Sequence, residues 1–278
     1  MTHQIPLDII NELAFFNSET TQKYAEQYKE SYQNASPFPH IIIDNFLPEK
    51  VIEKLLHEFP EHQKPQLDLH QEKFKTNYNP DHINSGFARS FFYSLNSKPF
   101  LKFLETLTGI DALISDPHFL GGGFHETTKG GKLGVHADFN LHKKLNLHRR
   151  LNVLIYLNKD WKEEYGGHIE LWDKKMKNKV DEILPIFNRC LIFNTNSDSY
   201  HGHPVPLACP ENMSRKSMAL YYYTSSKRIY EEHKEHTTRF KARSGTTDKV
   251  YHKTELRELV KDISPPILWR ALNKLVHF

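Results

Sequence analysis

The stretch GGGFHETTKGGKLGVHADF (121–139) decides the fold of this chain. It holds parts of two short runs of β-branched and aromatic residues, FLGGGFHET (119–127) and KLGVHADF (132–139), separated by glycines. Similar runs, broken by Gly, Pro and Asn, continue to residue 224: RLNVLIYLN (150–158), GHIELWD (167–173), ILPIFN (183–188), RCLIFNT (189–195) and KSMALYYYT (216–224). So many short strands in one region predict an antiparallel β sandwich or barrel over 113–224.

The segments on either side of this core have helical patterns. Apolar residues at mixed i+3 and i+4 spacing predict helix within 5–34, and HIIID (40–44) reads as a strand. Residues 61–90 are polar and without a period, which predicts a long loop. Further helices are predicted over 45–60, 97–110, 253–263 and 265–276.

The chain therefore divides into three parts of one functional domain. We expect an N-terminal helical region with one strand (1–112), a β core (113–224) and a C-terminal helical flank (225–278). The helices lie outside the β core in sequence, so the fold class is α+β.

Composition excludes several classes of function. Lys and Arg number 37 against 34 Asp and Glu, a net charge of +3 that is too small for a domain that coats nucleic acid. Two cysteines, Cys190 and Cys209, are too few for a disulfide framework and suit a reducing compartment. No apolar run approaches the ~18 residues of a membrane span, and the N-terminus lacks the pattern of a signal peptide. We therefore expect a cytoplasmic protein that binds neither nucleic acid nor membrane.

Histidine is unusually frequent, with 18 copies, and imidazole is a common metal ligand. In GVHADF, His136 and Asp138 stand at i and i+2, so on a strand their side chains share one face. A third candidate, His201, lies in the later segment SYHGHP. Two imidazoles and one carboxylate are the ligand set of non-heme Fe(II) oxygenases. Zinc is the alternative metal, although the helical H-E-x-x-H spacing of many zinc hydrolases is absent.

A basic residue follows these candidates at the start of a strand. Arg215 opens RKSMALYYYT, with Ser217 on the same strand face. A guanidinium at the end of a β pocket can bind a carboxylate through two hydrogen bonds. Tyr156 in RLNVLIYLN shares a face with Asn152 and Leu154, so its hydroxyl could contact the same carboxylate.

These segments resemble the 2-oxoglutarate- and Fe(II)-dependent dioxygenases, in particular the prolyl-4-hydroxylase-like group. The resemblance covers residues 113–224, and PFPHIIIDNFLPEKVIEKL (37–55) is also similar to the corresponding part of that group. The run YLNKDW (156–161), followed by Gly166 and Gly167, resembles the equivalent strand and turn of hypoxia-sensing prolyl hydroxylases.

The resemblance implies a double-stranded β-helix, a jelly-roll of cupin type, with flanking helices. It implies that His136, Asp138 and His201 bind Fe(II), and that Arg215, with Tyr156 as partner, binds the distal carboxylate of 2-oxoglutarate. His203 is an alternative to His201 as third ligand. His125 lies near the position where the family often has a pocket tyrosine, and its role stays open.

The reaction implied is hydroxylation of a C–H bond with O2, coupled to decarboxylation of 2-oxoglutarate to succinate, with ascorbate as a supporting reductant. Members of this family that halogenate lack the carboxylate ligand, so the presence of Asp138 favours hydroxylation over halogenation. The substrate is a peptidyl proline or a free small molecule such as an amino acid or secondary metabolite. AlkB-type nucleic-acid demethylases carry a second arginine where this chain has Tyr221. A non-catalytic cupin-like binding module is the alternative from a different class, and the sequence does not specify an oligomeric state.

Overall fold

The computed structural model describes residues 4–63, 67–69, 71–225 and 235–248. Five α-helices lie in the N-terminal part of the described chain: α1 (Ser18–Glu26), α2 (Lys29–Gln33), α3 (Glu49–His57), α4 (Gly86–Leu95) and α5 (Lys98–Thr108). Fifteen strands are β1 (Leu7–Ile10), β2 (Leu13–Phe16), β3 (His40–Ile43), β4 (Leu67–Leu69), β5 (Glu72–Tyr78), β6 (Ile114–Ser115), β7 (Gly123–Ala137), β8 (Leu141–His142), β9 (Leu147–Tyr156), β10 (Ile169–Trp172), β11 (Lys179–Ile183), β12 (Cys190–Asn194), β13 (His201–His203), β14 (Ser214–Thr224) and β15 (Arg239–Phe240).

All strands after the first two belong to one curled sheet. Its main path runs β11, β10, β13, β7, β14, β9, β12 and β3, and every pairing in it is antiparallel. This arrangement confirms the predicted α+β fold with a double-stranded β-helix core.

The long strand β7 joins the two halves of the sheet. Its first part, 123–128, pairs with β14, and its last part pairs with β13. Gly130 between these parts has a φ of 74°, a left-handed conformation that glycine adopts without strain, so the strand can bend there. The bend turns the end of β7 toward β13 and so positions the candidate ligands.

Helices pack on one face of the sheet, and together they enclose the larger of the apolar clusters. Phe91, Phe92, Phe100 and Phe103 from α4 and α5 are fully buried and belong to the same apolar cluster as Phe124 of β7. A second, smaller cluster includes Tyr156, Leu171 and Phe193. The helical face therefore supplies stability and leaves the opposite face of the sheet free to line a cavity.

Several elements match the sequence predictions closely. HIIID forms β3, the helix predicted over 45–60 is α3, and the helix predicted over 97–110 is α5. Gly109 ends α5 in the left-handed conformation expected of a helix C-terminus.

Three predictions of local structure are wrong. Residues 7–16 form the hairpin β1–β2 rather than the start of a helix, because Asn11 and Glu12 both adopt positive φ and close a two-residue turn. Most of ILPIFN is a turn with Asn188 at φ 61°, and only Ile183 lies in a strand. The predicted loop 61–90 contains β4, β5 and the start of α4. The helices predicted over 253–263 and 265–276 lie outside the described residues.

Candidate active site

The end of β7 and strand β13 bring three potential metal ligands together. His136 lies near the end of β7, Asp138 follows it, and His201 pairs with His136 across the two strands. One ligand atom from each of the three residues lies within 4.8 Å of the others, and all three residues are buried. The structure thus brings His201 into this group, and His203 is not a member of it. Two imidazoles and one carboxylate in this arrangement suit a divalent transition metal.

The imidazole rings are held by backbone carbonyls. His136 Nδ1 lies 2.9 Å from the Gly134 oxygen, and His201 Nδ1 lies 2.9 Å from the Ser199 oxygen. A carbonyl only accepts hydrogen bonds, so each Nδ1 carries a proton, and Nε2 is the ring nitrogen left to bind a metal. The Nε2 atoms lie 3.5 Å and 3.4 Å from the Asp138 carboxylate oxygens. Burial lowers the pKa of His201 to about 4, so its ring is neutral near pH 7.

The Asp138 carboxylate is fixed by two further side chains. Asn152 Nδ2 donates to Asp138 Oδ2 at 2.8 Å, and Arg149 Nη2 lies 3.0 Å from the same oxygen. Burial alone would raise the pKa of Asp138, but the positive charge of Arg149 holds it well below its usual value. Asp138 is therefore ionised, as a metal ligand requires.

Arg149 is itself locked in place. Its guanidinium lies 3.5 Å from the ring centroid of Tyr221 and 4.6 Å from that of Phe139, and its Nε and Nη2 donate to Asn152 Oδ1 at 3.1 Å and 2.7 Å. A guanidinium stacked on aromatic rings keeps its orientation. Arg149 therefore holds the carboxylate of Asp138, one of the three candidate ligands, in a fixed position.

Arg149 is not among the residues that the sequence predicts for the site. Between β9 and β14, Tyr222 pairs with Leu151 but Tyr223 pairs with Arg149, so Arg150 is skipped by a bulge. Strict alternation along β9 would turn Arg150, rather than Arg149, toward the cavity. The only sequence signal was the Arg-Arg pair itself, which does not say which arginine faces inward.

A second group of polar residues surrounds Arg215. Its guanidinium is buried, its Nε donates to the Gly167 oxygen at 2.8 Å, and its Nη2 donates to the Tyr156 hydroxyl at 3.3 Å. Burial lowers the pKa of Arg215, and no carboxylate pairs with it in the part of the chain that the structure describes. A buried cation without an anion is costly, so this group is suited to bind an anionic ligand.

One cavity of about 260 Å³ joins the two groups. It is slightly below the ~300–1,000 Å³ of typical small-molecule pockets, so a large substrate would have to approach from outside. Ser217, His125 and His203 also line it. His125 Nε2 donates to the Gly121 oxygen at 2.9 Å, and burial, aided by the charge of Lys75, lowers its pKa well below the usual value.

A segment that follows β14 in the chain lies over the metal end of the cavity. Strand β15 pairs with the end of β7, and the Phe240 ring lies 5.3 Å from the His136 ring, centroid to centroid. Thr238 and Phe240 both line the cavity. The sequence pattern predicts only a flank here and gives no signal for either residue.

A comparison with known protein families decides the class of this site. The sequence profile of the 2OG-Fe(II) oxygenase superfamily matches residues 122–223. This range contains the candidate site residues His136, Asp138, Tyr156, His201 and Arg215. Residues 122–223 form a 2OG-Fe(II) oxygenase domain. No curated protein matches the sequence significantly.

Solved structures of other proteins can be superimposed on this chain, and the first of them shares its fold. A prolyl hydroxylase from Trichoplax adhaerens, in complex with a peptide of the hypoxia-inducible factor oxygen degradation domain, superimposes with a TM-score of 0.53 at 18% identity, over 77% of this chain and 94% of that one. A prolyl-4-hydroxylase from Pseudomonas putida gives 0.49 at 14% identity, over 72% and 98%. HygX from Streptomyces hygroscopicus, with nickel and 2-oxoglutarate bound, gives 0.46 at 11% identity, over 73% and 86%.

The predicted class, a 2-oxoglutarate-dependent dioxygenase with Fe(II), 2-oxoglutarate and O2 as cofactors and cosubstrates, is confirmed at the level of the superfamily. The donor set fits the metal, since two imidazoles and one carboxylate converge in it. Within the described residues, no helix of the oxygenase is both long and apolar enough to cross a membrane.

Proposed function

We propose that this oxygenase hydroxylates a C–H bond, with Fe(II) bound by His136, Asp138 and His201. The observation that carries the proposal is the convergence of these three ligand groups within 4.8 Å in a buried site. Arg215, with Tyr156 beside it, binds the distal carboxylate of 2-oxoglutarate in our proposal. The support for this role is the buried guanidinium that has no acidic partner among the described residues.

The residues of the chain prepare the site for its cofactors. The carbonyls of Gly134 and Ser199 hold both imidazoles with Nε2 free, and Arg149 keeps Asp138 ionised. When bound, Fe(II), 2-oxoglutarate and O2 supply the oxidation, which releases succinate and CO2. The protein contributes orientation of the cosubstrate and exclusion of water.

We propose a peptidyl proline as the substrate. The support is the fold shared with the Trichoplax adhaerens prolyl hydroxylase, whose structure contains a peptide. One observation favours a free small molecule instead. Phe240 and Thr238 line the cavity, and β15 occupies the edge of β7 beside His136, where an extended peptide could otherwise pair.

Succinate release tests the reaction without knowledge of the substrate. The protein is supplied with Fe(II), 2-oxoglutarate, O2 and ascorbate, and succinate is measured alone, with proline-containing peptides and with free amino acids. We expect succinate from the native protein and from His57→Ala, which changes an exposed histidine of α3, and none from His136→Ala. Stimulation by peptides would support a prolyl hydroxylase, and stimulation by free amino acids alone would support the small-molecule alternative. Absence of His136-dependent succinate in all mixtures would contradict the proposed reaction.

Two coarser expectations also remain proposals. We place the protein in the cytoplasm, for which the support is the two free cysteines, Cys190 and Cys209. We also propose that the chain divides into three parts, 1–112, 113–224 and 225–278. The superfamily match lies inside the middle part, which supports that boundary.

A further inference from the structure

His203 lies in the cavity and has no role in the arrangement described so far. It is the last residue of β13, only 4% of its surface is exposed, and its Nδ1 has no hydrogen-bond partner among the described residues. An unpaired polar atom in a protein interior costs free energy, so buried polar groups nearly always have a partner. The missing partner of His203 therefore points to a ligand in the cavity.

The charges around His203 indicate what kind of ligand this is. Arg215 and Lys75 line the same cavity in one row of the sheet, since each pairs with Thr127 of β7. Lys75 is paired with Glu72 at 2.8 Å, so Arg215 is the cation of this row without an acidic partner among the described residues. An imidazole carries at least one ring N–H in either of its protonation states, so His203 can donate a hydrogen bond into the cavity. A buried guanidinium and a hydrogen-bond donor on one cavity suit a carboxylate.

His203 and Arg215 approach the cavity from different strands of the barrel. His203 is on β13, which pairs with the last part of β7, whereas Arg215 is on β14, which pairs with its first part. A carboxylate bound by Arg215 would thus have the imidazole on another side. This placement differs from that of Tyr156, whose hydroxyl accepts a hydrogen bond from the guanidinium itself.

We propose that His203 is a cosubstrate-binding residue that donates a hydrogen bond to the distal carboxylate of 2-oxoglutarate and so strengthens the preference for a dicarboxylate. This inference rests on the proposed role of Arg215. It gives the second histidine of SYHGHP a function separate from that of His201.

The test compares two 2-oxo acids that differ only at the distal end. 2-Oxopentanoate has the chain length of 2-oxoglutarate, with a methyl group in place of the distal carboxylate. Binding of each acid to the Ni(II)-loaded protein is measured by calorimetry, without any turnover. We expect His203→Phe to weaken binding of 2-oxoglutarate by about tenfold or more, because a hydrogen bond to a charged group is lost. The affinity for 2-oxopentanoate should stay within about twofold of the native value, because phenylalanine keeps an aromatic ring at this position.

A second variant separates hydrogen bonding from packing. His203→Asn retains an amide donor near the position of Nδ1, and we expect it to recover part of the preference for 2-oxoglutarate that His203→Phe loses. Ni(II) affinity should be the same in the native protein and both variants, since His203 is not a member of the metal group.

Three results would overturn the inference. Equal weakening of both acids in His203→Phe would mean that the ring only packs against the cosubstrate chain, and no weakening would mean that it contacts neither. Loss of Ni(II) affinity would make His203 a metal ligand. Failure of the proposed function looks different, because the native protein would then bind 2-oxoglutarate no better than 2-oxopentanoate, and Arg215→Leu would change neither affinity.

Discussion

The two ends of the cavity differ in how complete they are. At the metal end, each imidazole donates to a backbone carbonyl, and Asp138 is held by Arg149 and Asn152. At the other end, Arg215 has no carboxylate partner in the described chain. His203 Nδ1 has no hydrogen-bond partner among the same residues. The metal end is thus formed in advance by the protein, whereas the other end requires an anion to complete it.

This difference indicates how the two ends respond to substitution. A change at the metal end removes a ligand or disturbs one that is already oriented, so it should affect metal binding first. A change at the anion end leaves the metal group intact and should affect only the affinity for 2-oxoglutarate. The four predictions below test whether the two ends are separable in this way.

The largest effect is expected from loss of a metal ligand. His136→Ala removes one of three ligand groups, and we expect Ni(II) affinity to fall by more than about 100-fold, beyond the ~10–100-fold typical of residues that only support ligands. Calorimetric titration with Ni(II) measures this change, with His57→Ala on α3 as the control. Retention of native affinity in His136→Ala would place the metal elsewhere.

The next effect concerns the anion end. Arg215→Leu removes the buried cation, and loss of one member of a buried charged pair costs ~2–5 kcal/mol, so 2-oxoglutarate should bind at least about 30-fold more weakly. Ni(II) affinity should not change. Arg89→Leu on α4 is the matched control outside the cavity, and an unchanged 2-oxoglutarate affinity in Arg215→Leu would disprove the proposed clamp.

A smaller effect is expected from the residue behind Asp138. Arg149→Met keeps an apolar chain between Phe139 and Tyr221 but removes the ion pair, so metal affinity should fall by about tenfold. Arg150→Met is a stringent control, because Arg150 is the adjacent residue and donates to Thr224 outside the cavity. Equal effects of the two substitutions on Ni(II) binding would show that charge in this region, rather than contact with Asp138, matters.

The smallest effect is expected from the Tyr156 hydroxyl. Tyr156→Phe removes a single hydrogen bond at the anion end, which is worth ~1 kcal/mol, so 2-oxoglutarate affinity should fall about fivefold. Tyr223→Phe serves as control, since the buried Tyr223 hydroxyl has no partner among the described residues. A loss as large as that of Arg215→Leu would mean that Tyr156 does more than support the guanidinium.

The convergence of the candidate ligands could be predicted in part from the sequence because some of its geometry is local, and their role as metal ligands stays a prediction. Alternation along a strand places His136 and Asp138 on one face, and the family resemblance supplied His201 and Arg215. The choice between His201 and His203 needed the pairing of β13 with β7, because both side chains share the parity of their strand. That pairing depends on contacts distant in sequence, which spacing alone does not encode.

The remaining errors have a common physical cause. Arg149 faces the cavity only because a bulge in β9 skips Arg150. The N-terminal hairpin was read as a helix because Ile5, Ile9 and Leu13 fit helical spacing, while the turn at Asn11 that reverses the chain carries no glycine. In both cases a local feature of the backbone, a bulge in β9 or a two-residue turn at Asn11 and Glu12, breaks the period that the sequence pattern suggests.

Anaerobic titration of the Fe(II)-loaded protein with 2-oxoglutarate tests the central claim most directly, because it requires both ends of the cavity at once. The visible absorption of the Fe(II)–2-oxo acid chelate reports binding without turnover. In the native protein loaded with one equivalent of Fe(II), we predict that the absorption rises and saturates as 2-oxoglutarate is added. We predict no absorption in His136→Ala, and saturation only at about 30-fold higher 2-oxoglutarate in Arg215→Leu. Absence of the absorption in the native protein, or its persistence unchanged in both variants, would contradict the account.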